Sequence, residues 1–234
     1  MGRLIKWLLA LPVAVFIFFN AYVYGNIITY RAVAPHQSAF MSMRMSQFSN
    51  EGRDAPLDYR WVGYDQISTN LKKALIASED ANFVAHSGFD WGGIRNAIKR
   101  NEKSGEVKAG GSTISQQLAK NLFLNDSRSY IRKAEEAAIT AMMEAVTDKD
   151  RIFELYLNVI EWDYGVFGAE AAAQKFYKKP AANLTKQQAA KLAARVPAPL
   201  FYADNPQSKR LRGKTNIILR RMGSAELPES DKLD

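Results

Sequence analysis

Hydrophobic and polar residues divide the chain into one long uncharged stretch near the N-terminus and a series of amphipathic segments after it. No charged residue occurs from Trp7 to Tyr30. The apolar part, residues 7–28, is roughly 33 Å long as a helix, which is enough to cross a bilayer. Aromatic residues lie at both ends of this stretch, as in the interfacial belts of membrane helices. We therefore expect an uncleaved membrane anchor over residues 1–30.

The charges that flank this stretch predict its orientation. Arg3 and Lys6 stand on the short N-terminal side, which predicts a cytoplasmic N-terminus and an extracytoplasmic remainder. A cleaved signal peptide, with Ala32-Val33-Ala34 as the cleavage site, is the alternative, but the apolar stretch is longer than is usual for one. We expect the anchor to act only as a tether, so that deleting residues 1–30 leaves an active domain that high salt releases from membranes.

From Ser68 onward, apolar residues recur at the three- and four-residue spacing of amphipathic helices. Capping boxes at Thr113-x-x-Gln116 and Thr185-x-x-Gln188 predict two helix starts, and Pro206 predicts the first position of the last helix. No alternating strand pattern competes with these signals, so the predicted fold class is mainly α. Residues 31–66 look irregular, with Met41, Met43 and Met45 alternating with polar residues.

Composition narrows the possible chemistry. Among 234 residues, the 32 Lys and Arg exceed the 24 Asp and Glu, which gives a net charge of +8 and indicates a polyanionic partner. The absence of cysteine excludes disulfides and thiolate sites, and two histidines exclude a three-histidine metal site. Residues 95–135 contain nine Lys or Arg against four Asp or Glu, and they surround a glycine turn at Gly110-Gly111 that opens a helix, a typical anion site.

Four segments, in this order and at these spacings, resemble the motifs of the peptidoglycan glycosyltransferase family, the transglycosylase module also found in bifunctional penicillin-binding proteins. The motifs are Glu79-Asp80-x-x-Phe83-x-x-His86-x-Gly88-x-Asp90, Gly110-Gly111-Ser112-Thr113-Ile114-Ser115-Gln116-Gln117-x-x-Lys120-Asn121, Arg132-Lys133-x-x-Glu136 and Glu154-x-Tyr156-Leu157-Asn158. The run 161–172 is most similar to the monofunctional branch. The resemblance implies a lysozyme-like, two-lobed helical domain with one N-terminal transmembrane helix.

The resemblance also implies roles for single residues. Glu79 is the expected general base, and Glu136 is the second catalytic carboxylate, which orients Arg132 and Lys133 or holds a metal. The expected substrate-binding residues are Asp80, Phe83, His86, Ser112, Thr113, Gln117, Lys120, Asn121, Arg128, Arg132 and Lys133. No dedicated metal ligands are expected, although a divalent cation, Mg²⁺ or Mn²⁺, is compatible with pyrophosphate departure.

The implied substrate is lipid II, a disaccharide-peptide linked through pyrophosphate to a polyprenyl lipid, together with the growing glycan chain. The other expected partners are the lipid bilayer and further cell-wall synthesis or division proteins, with no nucleic acid. The expected location is the bacterial inner membrane. The expected division is an anchor at 1–30, a membrane-proximal connector at 31–66, the catalytic domain at 67–222 and a tail at 223–234.

Two other functions compete with glycan synthesis. A peptidoglycan-cleaving enzyme would need a carboxylic acid to protonate a glycosidic oxygen, but has no use for a basic, pyrophosphate-sized site. A non-catalytic, membrane-anchored envelope or divisome protein would tolerate replacement of both Glu79 and Glu136. Nucleic-acid binding is disfavoured by the predicted anchor and its topology.

Overall fold

The computed structural model describes residues 2–104, 111–127 and 129–229, and within them the chain is mainly helical, as predicted. The helices are α1 Gly2–Tyr30, α2 Ala39–Asn50, α3 Thr69–Glu79, α4 Trp91–Ser104, α5 Ile114–Phe123, α6 Tyr130–Val146, α7 Lys149–Val159, α8 Ala169–Tyr177, α9 Lys186–Ala193, α10 Pro199–Asp204 and α11 Lys209–Arg221. The strands are β1 Asp58–Tyr59, β2 Glu161–Asp163 and β3 Val166–Phe167.

Hydroxyl side chains define where many of these helices begin. Each accepts a hydrogen bond from a backbone N–H in the first turn, which would otherwise lack a partner. The capping residues are Ser38, Ser68, Thr113, Ser129, Thr185 and Ser208. The capping boxes at Thr113 and Thr185 are confirmed, whereas the last helix begins at Lys209 rather than at Pro206, because the Ser208 hydroxyl caps it.

The membrane-proximal segment contains helix α2, so the expectation of an irregular 31–66 connector is wrong for residues 39–50. Phe40, Met41 and Phe48 are buried, a spacing that places them on one side of a helix. The alternation of methionine with polar residues is therefore incidental. Helix α2 packs against α5, which carries part of the second motif.

A small three-stranded sheet, in the order β1-β3-β2, also departs from the sequence-based expectation. Strand β1 pairs in parallel with β3, and β2 pairs antiparallel with it. These strands are two or three residues long, too short to show an alternating pattern, and β2 is buried along its whole length. Strand β2 places Glu161 in the interior of the domain, where it is 5% exposed.

The core brings the motif-bearing helices together through small side chains. Helix α9 packs against α3 and α11, and α5 packs against α6 and α7. Alanines in α8 and α9 are fully buried, which permits close helix approach. These contacts bring the end of α3 close to α5 and α11, although the three elements are far apart in sequence.

Helix α1 is docked on the domain, contrary to the expectation of a simple tether. Its Val13–Tyr30 portion is long and apolar enough to cross a membrane. Along the same helix, Val23 is fully buried and Ile27 is 3% exposed, while the Tyr30 ring stacks on Phe123 at 6.1 Å between centroids. The Arg151 guanidinium donates to the Tyr30 carbonyl oxygen at 2.7 Å. The apolar helix therefore forms part of the core at its C-terminal end.

Candidate active site

The two adjacent carboxylates of the first motif lie in different environments. Helix α3 ends at Glu79, and Asp80 leaves the helical conformation with φ −160° and ψ 79°. As a result, the Glu79 side chain retains 9% exposure, whereas the Asp80 side chain retains 2%. The pair therefore consists of one carboxylate that solvent and ligands can reach and one that belongs to the interior.

Glu79 is surrounded by hydrogen-bond donors from three parts of the chain. The Ser78 hydroxyl donates to Oε1 at 2.8 Å, and the Gln117 amide donates to Oε2 at 3.3 Å. The Lys214 ammonium lies 3.6 Å from Oε1. Burial lowers the pKa of Lys214, and the charge of Glu79 opposes that shift. Oε2 is the less firmly held oxygen, with one hydrogen bond of 3.3 Å, and is therefore the better placed of the two to accept a proton.

Gln117 is fixed by a residue of the fourth motif. The hydroxyl of Tyr156 donates to Gln117 Oε1 at 3.1 Å, which leaves the amide nitrogen to face Glu79. Burial raises the pKa of Tyr156 well above its ordinary value, and the charges of Glu79 and Asp80 raise it further, so the phenol stays a donor. Tyr156 thus sets the orientation of the amide beside the candidate base.

Asp80 links the first motif to the second through hydrogen bonds. It accepts a hydrogen bond from His86 Nε2 at 3.0 Å and one from the Ile114 backbone N–H, the first residue of α5, at 2.9 Å. The Thr113 hydroxyl in turn donates to the Gly88 carbonyl at 2.7 Å. A carboxylate at a helix N-terminus is favourable because unpaired N–H groups and the helix dipole meet it there.

Gly88 is a position where another residue would not fit. Its φ is +86°, and a Cβ atom built there would lie 2.8 Å from the Thr140 methyl group. Both the left-handed backbone and the close approach favour glycine. The turn therefore sets the direction of the chain between the first motif and α4.

Several residues expected to contact the substrate are buried instead. Phe83 has no exposed surface and packs on Phe153 at 5.5 Å between ring centroids. Thr113 is 2% exposed and Asn121 is 6% exposed, and Asn121 donates to the Gln117 carbonyl oxygen at 2.8 Å. Together with Asp80 and the largely buried His86, they hold the site in place rather than face it. Their burial favours a positioning role over direct contact with the substrate.

Glu136 lies at the centre of a cluster of cations. Arg132 donates to its Oε2 at 2.5 Å, and Lys133 donates to its Oε1. Glu136 is 3% exposed, while the Arg132 side chain is 16% exposed and the Lys133 side chain 45% exposed, so a buried carboxylate holds one partly buried and one exposed cation. The Lys133 ammonium also donates to the exposed Ser112 hydroxyl at 3.1 Å. These contacts bring the second and third motifs together and leave Glu136 without a free oxygen.

Lys120 joins this cluster from α5. Burial lowers the pKa of its ammonium, while the Glu136 charge opposes the shift. Arg128, which we also expect to bind substrate, and Gly110 of the glycine turn lie outside the described residues. Of the expected cations, Arg132 and Lys133 bond to Glu136, and Lys120 lies near enough for the Glu136 charge to act on it.

The fourth motif mainly supports the site. The Asn158 amide exchanges hydrogen bonds with both backbone groups of Val62, at 3.1 and 3.0 Å, and Glu154 Oε1 accepts from the Tyr64 N–H at 2.9 Å. These contacts pin the segment before α3 to α7. The architectural role predicted for this motif agrees with these contacts.

Sequence reasoning missed two cations of the site. Lys214 is one of several basic residues in the last helix, and Arg44 lies in a segment expected to be irregular. Neither position carries a local signal, because Glu79 and Glu161, their respective partners, are more than a hundred residues away in sequence. Only the packing of α11 and α2 reveals them.

The described residues offer little to a metal ion. Within residues 2–104, 111–127 and 129–229, no three His, Asp or Glu side chains form a group suited to hold one. Both oxygens of Glu136 are engaged by cations. The side chains in this part of the chain therefore do not fit a preformed site for a divalent metal ion.

Comparisons with known proteins identify the family to which the chain belongs. The family model described as transglycosylase matches residues 46–223, from within α2 to just beyond α11. The chain is 82% identical over 231 residues to a protein of Neisseria meningitidis serogroup C named biosynthetic peptidoglycan transglycosylase, with 99% of each chain covered. It is 81% identical, at the same coverage, to a protein of that name from Neisseria gonorrhoeae. The chain belongs to the transglycosylase family.

Proposed function

We propose that this protein polymerises lipid II into β-1,4-linked glycan strands for the bacterial cell wall and releases polyprenyl pyrophosphate. The enzyme class, a peptidoglycan glycosyltransferase, follows from the family and from the full-length relatives, and the non-catalytic alternative falls with it. The observation that carries the finer proposal is the presence of one partly exposed carboxylate, Glu79, and a separate group of cations bonded to the buried carboxylate of Glu136.

The two parts of the site match the two demands of the reaction. The acceptor sugar hydroxyl attacks the anomeric carbon of the donor while the bond from that carbon to the pyrophosphate oxygen breaks. Glu79 takes the hydroxyl proton, and the bonding electron pair leaves with the pyrophosphate. Because the pyrophosphate is already a good leaving group, the site needs positive charge more than a strong acid. One displacement inverts the anomeric centre, so an α-linked donor gives a β-linked product.

The cations divide between the two ends of this reaction. Lys120, Arg132 and Lys133 are assigned to the departing pyrophosphate, with Arg128 as a further candidate. Lys214 faces Glu79 and stands where the acceptor end of the site would be. Glu136 acts by positioning, since its buried carboxylate bonds to both Arg132 and Lys133 and fixes where their charges lie.

The membrane setting is part of the same proposal. A polyprenyl substrate lies in the bilayer, and an anchor confines the enzyme to that surface. Arg3 and Lys6 favour a cytoplasmic N-terminus, with the catalytic domain on the periplasmic side of the inner membrane. The docked α1 would then keep the domain close to the lipid surface.

The decisive experiment uses full-length protein in detergent with labelled lipid II and measures polymer and released disaccharide separately. Glu79→Gln removes the base while keeping the shape of the side chain, so we expect polymerisation to fall about 10²- to 10⁴-fold. Glu226→Gln, at an exposed glutamate, is the matched control and should behave like wild type. Near-full activity of Glu79→Gln would show that another group is the base, and release of disaccharide without polymer would favour the cleaving alternative.

A second measurement tests the cations assigned to the departing pyrophosphate. Lys120→Ala and Lys133→Ala each remove a charge-assisted contact, so each should raise the KM for lipid II several-fold or more. Wild-type kinetics in both variants would show that the cluster is a solvated surface with no part in binding.

A further inference from the structure

An arginine and a glutamate that the reaction does not use are buried together beside Lys120. Arg44 of α2 retains 17% side-chain exposure and Glu161 of β2 retains 4%. The Arg44 Nε atom lies 3.3 Å from Glu161 Oε2. Neither Arg44 Nε nor Glu161 Oε1 has a hydrogen-bond partner among the described residues. The pair is thus held by charge and by packing more than by well-formed hydrogen bonds.

Arg44 and Lys120 share one aromatic surface. The Arg44 guanidinium carbon lies 4.8 Å from the centroid of the Phe40 ring, and the Lys120 ammonium lies 5.3 Å from the same centroid. Two cations on one ring repel each other, and at reduced exposure that repulsion is only weakly screened. Glu161 is the buried anion that offsets it, since both Arg44 and Lys120 lower the pKa of its carboxyl.

We propose that Arg44 and Glu161 form a positioning pair that holds helix α2, and with it the Phe40 ring, against Lys120, and so directs the Lys120 ammonium toward the substrate pyrophosphate. The inference rests on the proposed role of Lys120. Arg44 is itself fixed by Gln47, whose side-chain oxygen accepts from Nη1 at 2.7 Å. Helix α2, which carries Arg44 and Phe40, packs against α5, which carries Lys120.

The charges around Lys120 come from every neighbouring element. Glu136 and Arg132 face it from α6, Arg44 faces it from α2, and Asp126 faces it from the segment after α5. Glu136 is already saturated by two cations, and Asp126 is largely exposed. Glu161 adds a buried carboxyl whose pKa the Lys120 charge lowers, and it has no assigned role in the reaction.

The test is a double-mutant cycle on full-length protein, built from Glu161→Gln, Lys120→Ala and the double variant. If Glu161 acts through Lys120, Glu161→Gln raises the KM for lipid II about fivefold or more, with kcat much less affected. The same change then has no further effect in the Lys120→Ala background.

Three outcomes separate the possible failures. If Lys120→Ala alone leaves KM unchanged, the proposed role of Lys120 fails and this inference fails with it. If Lys120→Ala is impaired and Glu161→Gln adds its own full loss to it, only the positioning role is overturned. If Glu161→Gln does not fold, Arg44→Gln and Arg44→Lys replace it in the cycle, and only Arg44→Lys should retain the wild-type KM. Arg53→Gln, which removes an exposed arginine soon after α2, is the control for loss of charge.

Discussion

The buried carboxyl of Glu161 should make the wild-type protein less stable as pH rises. Burial raises its pKa to about 7 from an ordinary value of 4.5, with Arg44 only partly opposing the shift. Between these two values the folded state holds a proton that the unfolded state has released, so unfolding becomes easier with increasing pH. The stability that the protonated carboxyl contributes is fully present below pH 4.5 and is lost as pH rises through 7.

The size of the effect follows from the shift. A difference of this size in the pKa corresponds to about 3 kcal/mol at pH 8. Glu161→Gln keeps the shape of the side chain but cannot ionise, so it should be more stable than wild type at pH 8 and nearly equal to it at pH 5. For a domain of this size that difference is about 5–10 °C in Tm.

Thermal unfolding followed by circular dichroism, on full-length protein in detergent at pH 5, 6, 7 and 8, measures this directly. Glu226→Gln, at an exposed glutamate, should track wild type throughout. Wild type and Glu161→Gln with parallel stability curves from pH 5 to pH 8 would refute the reasoning. A variant that gains stability while its KM for lipid II rises would show that the pair is retained for positioning and not for stability.

Three other changes probe the site. Asp80→Asn should cost about 2–3 kcal/mol of stability in thermal unfolding, because it weakens the bond to the Ile114 N–H, and an unchanged Tm would contradict that role. Lys214→Met should lower polymerisation about tenfold or more with little change in Tm, since it removes the charge that faces Glu79, and activity equal to that of an exposed-lysine variant would argue against it. Deletion of residues 1–30 should leave a domain that still sediments with vesicles in high salt, because an apolar face is uncovered; full release into solution would support a simple tether.

Sequence patterns predicted the parts of this protein that depend on local spacing. The Arg132–Glu136 and Lys133–Glu136 pairs are three or four residues apart on one helix, so the distance in sequence already implies contact. The capping boxes are equally local. The four motifs identified the family because their order and spacing are specific, and the family model confirms it.

Contacts between segments that are far apart in sequence leave no local pattern, so they could not be predicted in this way. Nothing near Lys214 distinguishes it from the other basic residues of α11, and its partner Glu79 lies on α3. The uncharged stretch of α1 is apolar on every side, so the face that docks through Val23 and Ile27 has no signature of its own. The burial of Phe83 has no signal in the sequence either, because a place in a motif does not show whether a side chain faces the substrate or packs in the core.

Glu79 and Glu136 lie in different surroundings, which supports different roles for them. Both oxygens of Glu136 are bonded to cations, and accepting a proton there would mean breaking an ion pair whose carboxylate is buried. Glu79 accepts hydrogen bonds at 2.8 and 3.3 Å and lies 3.6 Å from the Lys214 ammonium, so Oε2, which has the longer hydrogen bond, is the oxygen that a substrate hydroxyl can approach. Carboxylates in unlike surroundings take unlike parts in acid–base chemistry. These differences support the proposal that Glu79 takes the proton, while Glu136 keeps the charge of Arg132 and Lys133 where the pyrophosphate departs.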